Sequence, residues 1–201
     1  RDRRWPYDVR PILETVVDRG SLFEIGRAWG RSVITALARL DGWPVALLAS
    51  DPGQMGGTWT AAASRKMARF VELAETFRLP VVHFVDVGGF TIGSQAEKAG
   101  TIRDGTRAIA TIFQSTVPWA AVILRRAFGV AGAGMIDHTR FRYRIAWPSG
   151  DWGSLPVEGG LEAAFKAQIE AAPDPEATKR EIRARLERLR SPFRSAERFF
   201  V

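Results

Sequence analysis

Three short apolar runs, each entered through a proline, constrain this 201-residue chain more than any other feature. They are "WPVALLAS" (43–50), "LPVVHFVDV" (79–87) and "VPWAAVIL" (117–124). Each is rich in Val, Ile or Leu and bounded by turn residues, the pattern of a strand buried on both faces. Helical periodicity separates them. Met67, Phe70, Val71, Ala74 and Phe77 recur at three- and four-residue spacing in 61–77, and Ile102, Ile109, Ile112 and Phe113 do so less regularly in 102–113. Strands alternating with helices at a spacing near 35 to 40 residues predict an α/β domain with largely parallel pairing and right-handed crossovers.

Other stretches extend this frame. Ile25, Ala28, Trp29, Val33 and Leu37 predict a further helix over 21–40. "RFRYRIAWP" (140–148) alternates as a later strand. After "APDP" (172–175), a charged helix to about Arg190 carries a narrow stripe of Ile182, Leu186 and Leu189. Glu176 with Arg180, and Glu181 with Arg185, form favourable i,i+4 pairs on it. This helix is expected on the domain's edge or against a partner, with no catalytic residue of its own.

Composition excludes several classes of function. At 46% apolar and 25% charged residues the chain is an ordinary globular sequence, long enough for one domain with a real core. It contains no apolar run of 18 residues, so no membrane span is expected. The opening "RDRRWPYD" has neither Met nor an apolar signal region, so the chain is expected to be a fragment or processed piece; the expected location is cytoplasmic. Without cysteine there is no disulfide, thiolate nucleophile or zinc–thiolate site. His83 and His138 are far apart, so no metal site is expected, and His83 inside "VVHFVDV" reads as a satisfied core residue. The net charge of +7 favours acidic partners. Four of the 29 basic residues are lysines (Lys66, Lys98, Lys166, Lys179), and the arginines are spread among acids, so nucleic acid is not an expected partner.

The glycines point to a site. Each predicted strand ends in a glycine-bearing loop: "SDPGQMGG" (50–57), "DVGGFTIG" (86–93) and "FGVAGAG" (128–134). In open α/β sheets, ligands bind at the carboxyl ends of the strands. A phosphate-loop GKS or GKT is absent, and "GVAGAG" matches a dinucleotide fingerprint poorly, with no acid about 20 residues on. "AASRK" (62–66) has the wrong spacing for a Ser-x-x-Lys pair, and Ser64 and Lys66 lie in a helical pattern.

The third loop belongs to "RRAFGVAGAGM" (125–135), where so little side chain admits two explanations. Small residues let a helix pack closely on a sheet. They also let a ligand approach backbone N–H groups, which carry partial positive charge where a helix begins. A cradle of that kind needs no side-chain nucleophile, because amides aimed at a developing oxyanion suffice. Val130 and Ala131 are then of interest for their amides.

With these loops in place, the chain resembles the C-terminal half of the carboxyltransferase component of biotin-dependent acyl-CoA carboxylases, the β subunits of the propionyl-, acetyl- and methylcrotonyl-CoA enzymes. The resemblance runs in order through "YDVRPILETVVDRGSLFE" (7–24), the block 42–90 with its "ASRKMARF" and "FVDVGGF", "GSQAEKAGTIRDG" (93–105), "TVPWAAVILRRAFGVAGAGM" (116–135) and "IAWP" (145–148). "GSLPVEGGLEAAF" (153–165) follows a later glycine-rich loop of the family only loosely.

The resemblance implies a crotonase-like (ClpP/crotonase) α/β fold of stacked ββα units. It makes residues 1–201 one C-terminal carboxyltransferase domain, with 175–201 a C-terminal helical segment. It further implies transfer of a carboxyl group from carboxybiotin to the α-carbon of an acyl-CoA. This half would face biotin, and an absent N-terminal half would bind the acyl-CoA. Implied partners are that half, a biotin carboxyl carrier, a biotin carboxylase component and further copies in a homo-oligomer. The backbone amides of Val130 and Ala131 would hold the biotin ureido oxygen. Gly88, Gly89, Phe90, Glu97, Phe128, Gly129, Gly132 and Ala133 would shape the biotin and substrate pocket.

Several positions depart from the family pattern. Val130 replaces its second glycine, and Gly132 and Ala133 replace a tyrosine and its variable neighbour. Gly88-Gly89-Phe90 stands for Pro-Gly-Phe, and Ala96-Glu97 for Gln-Glu. Two alternatives are a biotin-independent decarboxylase or other crotonase-like enzyme, and a non-catalytic scaffold subunit.

Overall fold

The computed structural model describes residues 5–135 and 143–198. The three proline-led runs become β3 (Trp43–Ser50), β4 (Val81–Val87) and β5 (Trp119–Phe128) at the centre of one sheet. Before them come α1 (Arg10–Val16), β1 (Phe23–Ile25) and β2 (Val33–Leu40). Between and after them lie α2 (Ala61–Thr76), α3 (Ser94–Lys98), α4 (Thr101–Gln114), α5 (Gly129–Ala133), β6 (Tyr143–Ala146) and β7 (Asp151–Gly153). The chain ends in α6 (Val157–Glu170), α7 (Pro175–Leu189) and α8 (Pro192–Ala196). The sheet order is β1-β2-β3-β4-β5-β6, with β7 pairing to the carboxyl end of β5.

Pairing from β3 onward is parallel, as the strand–helix alternation predicts, with α2 and α4 as crossovers. α2, α4 and α5 cover one face of the sheet, where Leu48, Met67, Phe70, Val85, Ile112 and Ile123 are buried together. α1 covers part of the other face with Val9 and Leu13, packed on Ile34, Leu47 and Phe84. Thr60 caps α2, its hydroxyl accepting from the Ala63 amide at 3.0 Å.

The helix expected over 21–40 does not form. That stretch is β1, a glycine-bearing loop and β2, and it pairs antiparallel with β3 from Val33↔Ser50 to Leu40↔Trp43. The physical reason is local. Gly26 and Gly30 take φ values of +67° and +55°, which no helix interior accepts. A Cβ on Gly30 would lie 2.9 Å from the Ala62 carbonyl oxygen of α2. Val33, Ile34 and Thr35 are β-branched and buried on both faces, the chemistry of a central strand. Asp41-Gly42, with φ of +50° and +80°, closes the β2–β3 hairpin.

Smaller departures follow the surface. Phe77 ends α2 as an exposed cap residue, and Ile102 and Leu189 face solvent rather than the core. The strand expected over 140–148 is seen as β6, with 140–142 outside the described residues. His138 also lies outside them. His83 is fully buried, its Nδ1 3.1 Å from the Met135 carbonyl and its ring edge-on to Trp119. Burial lowers its pKa to about 4, so it is neutral in the folded protein. Ser64 and Lys66 are core-side residues of α2, and the Lys66 ammonium donates to the Val33 carbonyl at 2.6 Å.

Candidate functional site

The loops at the carboxyl ends of β3, β4 and β5 are gathered by one carboxylate. Asp86, fully buried near the end of β4, accepts from Arg125 Nε at 2.9 Å and Arg126 Nε at 2.7 Å. Consecutive strand residues normally point to opposite faces. Here the β4–β5 register shifts, from Val85↔Ile123 to Val87↔Ala127, and both guanidiniums reach the same acid. Arg126 also donates to the Gly56 carbonyl at 3.0 Å, binding the β3 loop. Arg125 donates to the Trp5 carbonyl at 2.7 Å and lies over the Tyr7 ring. Burial, with the Asp86 charge beside it, pushes the Tyr7 phenol well above its usual range. The β3 loop is pressed so close that a Cβ on Gly57, at φ +72°, would stand 2.3 Å from the Asp86 carbonyl oxygen.

The β4 loop is fixed next. Trp59 N donates to the Gly89 carbonyl and Thr91 N to the Trp59 carbonyl, so Trp59 and Phe90 form a one-residue bridge. The Phe90 ring meets Trp59 edge-on at 5.6 Å and fills the space over Gly105, where a Cβ would fall 2.3 Å from the ring. Gly89 faces the exit of β5, its would-be Cβ 3.8 Å from the Phe128 carbonyl oxygen.

At that exit, Gly129 with φ +62° turns the extended chain at Phe128 into α5. The two explanations for the small residues divide between positions. Close packing accounts for Gly132 and Gly134. A Cβ on Gly132 would sit 2.3 Å from the Ala127 carbonyl carbon, and one on Gly134 would sit 2.5 Å from Ile109 Cγ1. A tyrosine at 132 is therefore incompatible with this spacing of α5 on β5. The amides of Val130 and Ala131 lie in the first turn of α5, where no carbonyl of the helix can accept from them. Ala131 is fully buried, whereas Val130 is 64% exposed.

A cavity of about 650 Å³ opens beside this turn. Gly129, Val130, Gly132 and Ala133 line it, facing Met135 and Arg144 and, from β7 onward, Trp152 and Ser154. Ser195 of α8 completes the wall. Burial lowers the pKa of the Arg144 guanidinium. Phe128 and Ala131 are buried and do not line the cavity, and neither do Gly88, Gly89 or Phe90. Glu97 is exposed on α3 and does not line it either. Sequence reasoning passed over Asp86, Arg125, Arg126, Arg144 and the β7 wall. "FVDVGGF" and "RRAFG" marked the first three as part of a motif, but nothing in the spacing showed that they meet.

A second cavity, of about 720 Å³, lies among α1, the β1–β2 loop and the β3 loop. There Arg10 is committed to Glu24 and Asp51, and no sequence candidate reaches it. Among the described residues no three His, Asp or Glu side chains cluster as a metal site, and no helix is long and apolar enough to cross a membrane.

A mixed sheet carrying its glycine loops on one edge, with amide donors at the turn into a short helix, defines a crotonase-like domain. The chain matches the carboxyl transferase domain family over residues 1–201 and belongs to that family. It is 34% identical over 200 residues to the propionyl-CoA carboxylase carboxyltransferase subunit of Haloferax mediterranei, covering 98% of this chain and 39% of that one. It is 32% identical to the methylmalonyl-CoA decarboxylase subunit alpha of Veillonella parvula, covering 98% of this chain and 37% of that protein. Its fold superposes on a transcarboxylase 12S crystal structure with a TM-score of 0.93 at 33% identity, covering 100% of this chain and 39% of that one. That protein is a hexamer, solved with methylmalonyl-coenzyme A and methylmalonic acid bound. The chain thus spans about two fifths of the length of such relatives, fitting the C-terminal half of a carboxyltransferase subunit.

Proposed function

We propose that this chain is the biotin-side part of a carboxyltransferase that moves a carboxyl group between carboxybiotin and the α-carbon of an acyl-CoA. The observation that carries the reading is the Gly129 turn, which starts α5 beside a cavity that Val130 lines, with the Val130 and Ala131 amides both in that first turn. The residues present suit the biotin head group. Ile123, Ala127, Val130, Met135 and Trp152 offer apolar surface to a fused ring, and the two amides offer donors to its single ureido oxygen.

When bound, carboxybiotin supplies the carboxyl group and, once CO₂ departs, the base for the substrate's α-proton. The protein's share is positioning and charge stabilisation. The Val130 and Ala131 amides donate to the oxygen that gains negative charge. Preorganised donors of this kind are each worth about 3 to 4 kcal/mol of transition-state stabilisation. Gly129 sets the direction of those amides through its positive φ, and the Asp86–Arg125–Arg126 cluster fixes the three loops relative to one another. The acyl-CoA would be held by an amino-terminal half. A biotin carrier, a biotin carboxylase component and further copies of the enzyme are its proposed partners, in the cytoplasm.

A second reading, a decarboxylase that releases the carboxyl group, is favoured by the likeness to the Veillonella subunit. One assay separates the two. The assembled enzyme would be given malonyl-, methylmalonyl- and longer carboxyacyl-CoAs, with and without biocytin, and loss of the carboxyl group followed. Loss that requires biocytin supports carboxyl transfer. Loss without it supports biotin-independent decarboxylation, and no loss from a folded assembly supports a scaffold.

A further inference from the structure

The C-terminal helices have a small core of their own. Leu161 of α6 packs on Ile182 of α7, with Phe165, Ile169 and Leu186 around them, separate from the two clusters that flank the sheet. One residue at the end of this pair reaches the proposed site. Arg190, which caps α7, is 14% exposed and forms an ion pair at 2.9 Å with Asp151 of β7, itself 6% exposed. Its Nε donates to the Trp152 carbonyl at 3.3 Å, and its guanidinium lies 4.8 Å from the centre of the Phe128 ring.

These partners are the two sides of one junction. β7 runs alongside the end of β5 in the register Arg126↔Asp151, Ala127↔Trp152 and Phe128↔Gly153. Phe128 is the last extended residue before the Gly129 turn. Trp152, Gly153 and Ser154 form the opposite wall of the cavity. A planar cation stacked on Phe128 and paired to Asp151 therefore ties the β7 wall to the strand end that leads into the Gly129 turn, using the shape that distinguishes arginine from lysine.

We propose that Arg190 is a positioning residue for carboxyl transfer: it latches the C-terminal helices onto the β5–β7 junction and holds the Val130 and Ala131 amides in their catalytic direction. This rests on the carboxyltransferase reading above. Arg190 touches no reacting atom. It acts through Phe128 and β7.

The test compares the assembled enzyme with its Arg190→Gln, Arg190→Lys and Asp151→Asn variants, by transfer kinetics and amide hydrogen exchange. Misplacing a catalytic group by about 1 Å costs on the order of a hundredfold in rate. Arg190→Gln is accordingly expected to lower kcat by roughly 10- to 100-fold, with KM for the acyl-CoA changed less than about twofold. Exchange should quicken at 128–131 and 151–154 while β3 and β4 stay protected. Arg190→Lys, which keeps the charge but not the plane, should recover part of kcat. Asp151→Asn should reproduce the loss and serves in place of Arg190→Gln if that variant does not fold.

Unchanged kcat and unchanged exchange in a folded Arg190→Gln enzyme would overturn the latch. Exchange that quickens across the whole sheet would also overturn it, by showing general destabilisation. If the unmodified enzyme shows no biotin-dependent transfer, the carboxyltransferase reading fails separately, and exchange at 128–131 still decides for or against the latch.

Discussion

Two regions at the carboxyl end of β5, the Asp86 cluster and the Phe128–Gly129 exit, lie a few residues apart but are held by different means. Around Asp86, backbone is pressed on backbone: Gly57 has no room for a Cβ, and two guanidiniums share one fully buried carboxylate. At the exit, Gly132 is pressed against Ala127 on one side, but the outer wall is a three-residue strand fastened through Arg190. The first region is a rigid mount. The second is a cavity rim whose outer wall is tied on by side chains. The difference separates the contacts that hold the loops together from those that close the cavity wall.

The largest expected effect breaks the mount. Asp86→Ala leaves two buried guanidiniums without a counter-charge, which costs about 3 to 5 kcal/mol. Denaturant unfolding should show that loss, and a change under about 1 kcal/mol would mean that Asp86 is not the hub. The next effect sharpens the contrast on the rim's inner side. Gly132→Ala places a methyl against the Ala127 backbone, and overpacking of this kind costs roughly 1 to 3 kcal/mol. A neutral substitution there would mean that α5 can lift from β5, and that the rim is loose on both sides.

The smallest effect concerns the opposite end of β5, where Glu75 of α2 accepts from the Thr116 hydroxyl, from the Thr116 amide at 2.9 Å and from Ser115 Oγ at 2.9 Å. The Thr116 hydroxyl foremost, with the other donors, holds this carboxyl down to about 2. A carboxyl with a depressed folded pKa stabilises above its ordinary value, near 4.5, and that stability is lost as pH falls from there toward 2. Because the group is a third exposed, the effect is modest. Comparing Tm for the parent and Glu75→Gln from pH 6 to pH 2 should show a gap that closes on acidification. A gap independent of pH would contradict this.

What was legible in the sequence follows the same division. β3, β4 and β5 were readable because double-sided burial writes a continuous apolar run into each, and α2 because its stripe faces the core. β1 and β2 were not, since Ile25, Val33 and Leu37 happen to fall at helical spacing although a left-handed glycine loop separates Ile25 from the other two. Asp41-Gly42 was the local signal that could have revealed the hairpin. At the site, Gly129, Val130, Gly132 and Ala133 line one cavity because they are neighbours in one loop. Asp86 with Arg125, and Asp151 with Arg190, each join residues 39 positions apart, and ion pairs over such separations leave no periodic trace.

The most direct measurement is carboxyl transfer from a carboxyacyl-CoA to biocytin by the assembled enzyme and by its Ala131→Pro variant. Proline deletes the Ala131 amide at the first turn of a helix, where that hydrogen has no helical acceptor to lose. The expected result is a folded enzyme whose kcat falls about 100- to 1,000-fold, the effect of removing one oxyanion donor. Transfer at the parent rate by a folded Ala131→Pro enzyme would contradict the account, because the amide placed at its centre would then do no work.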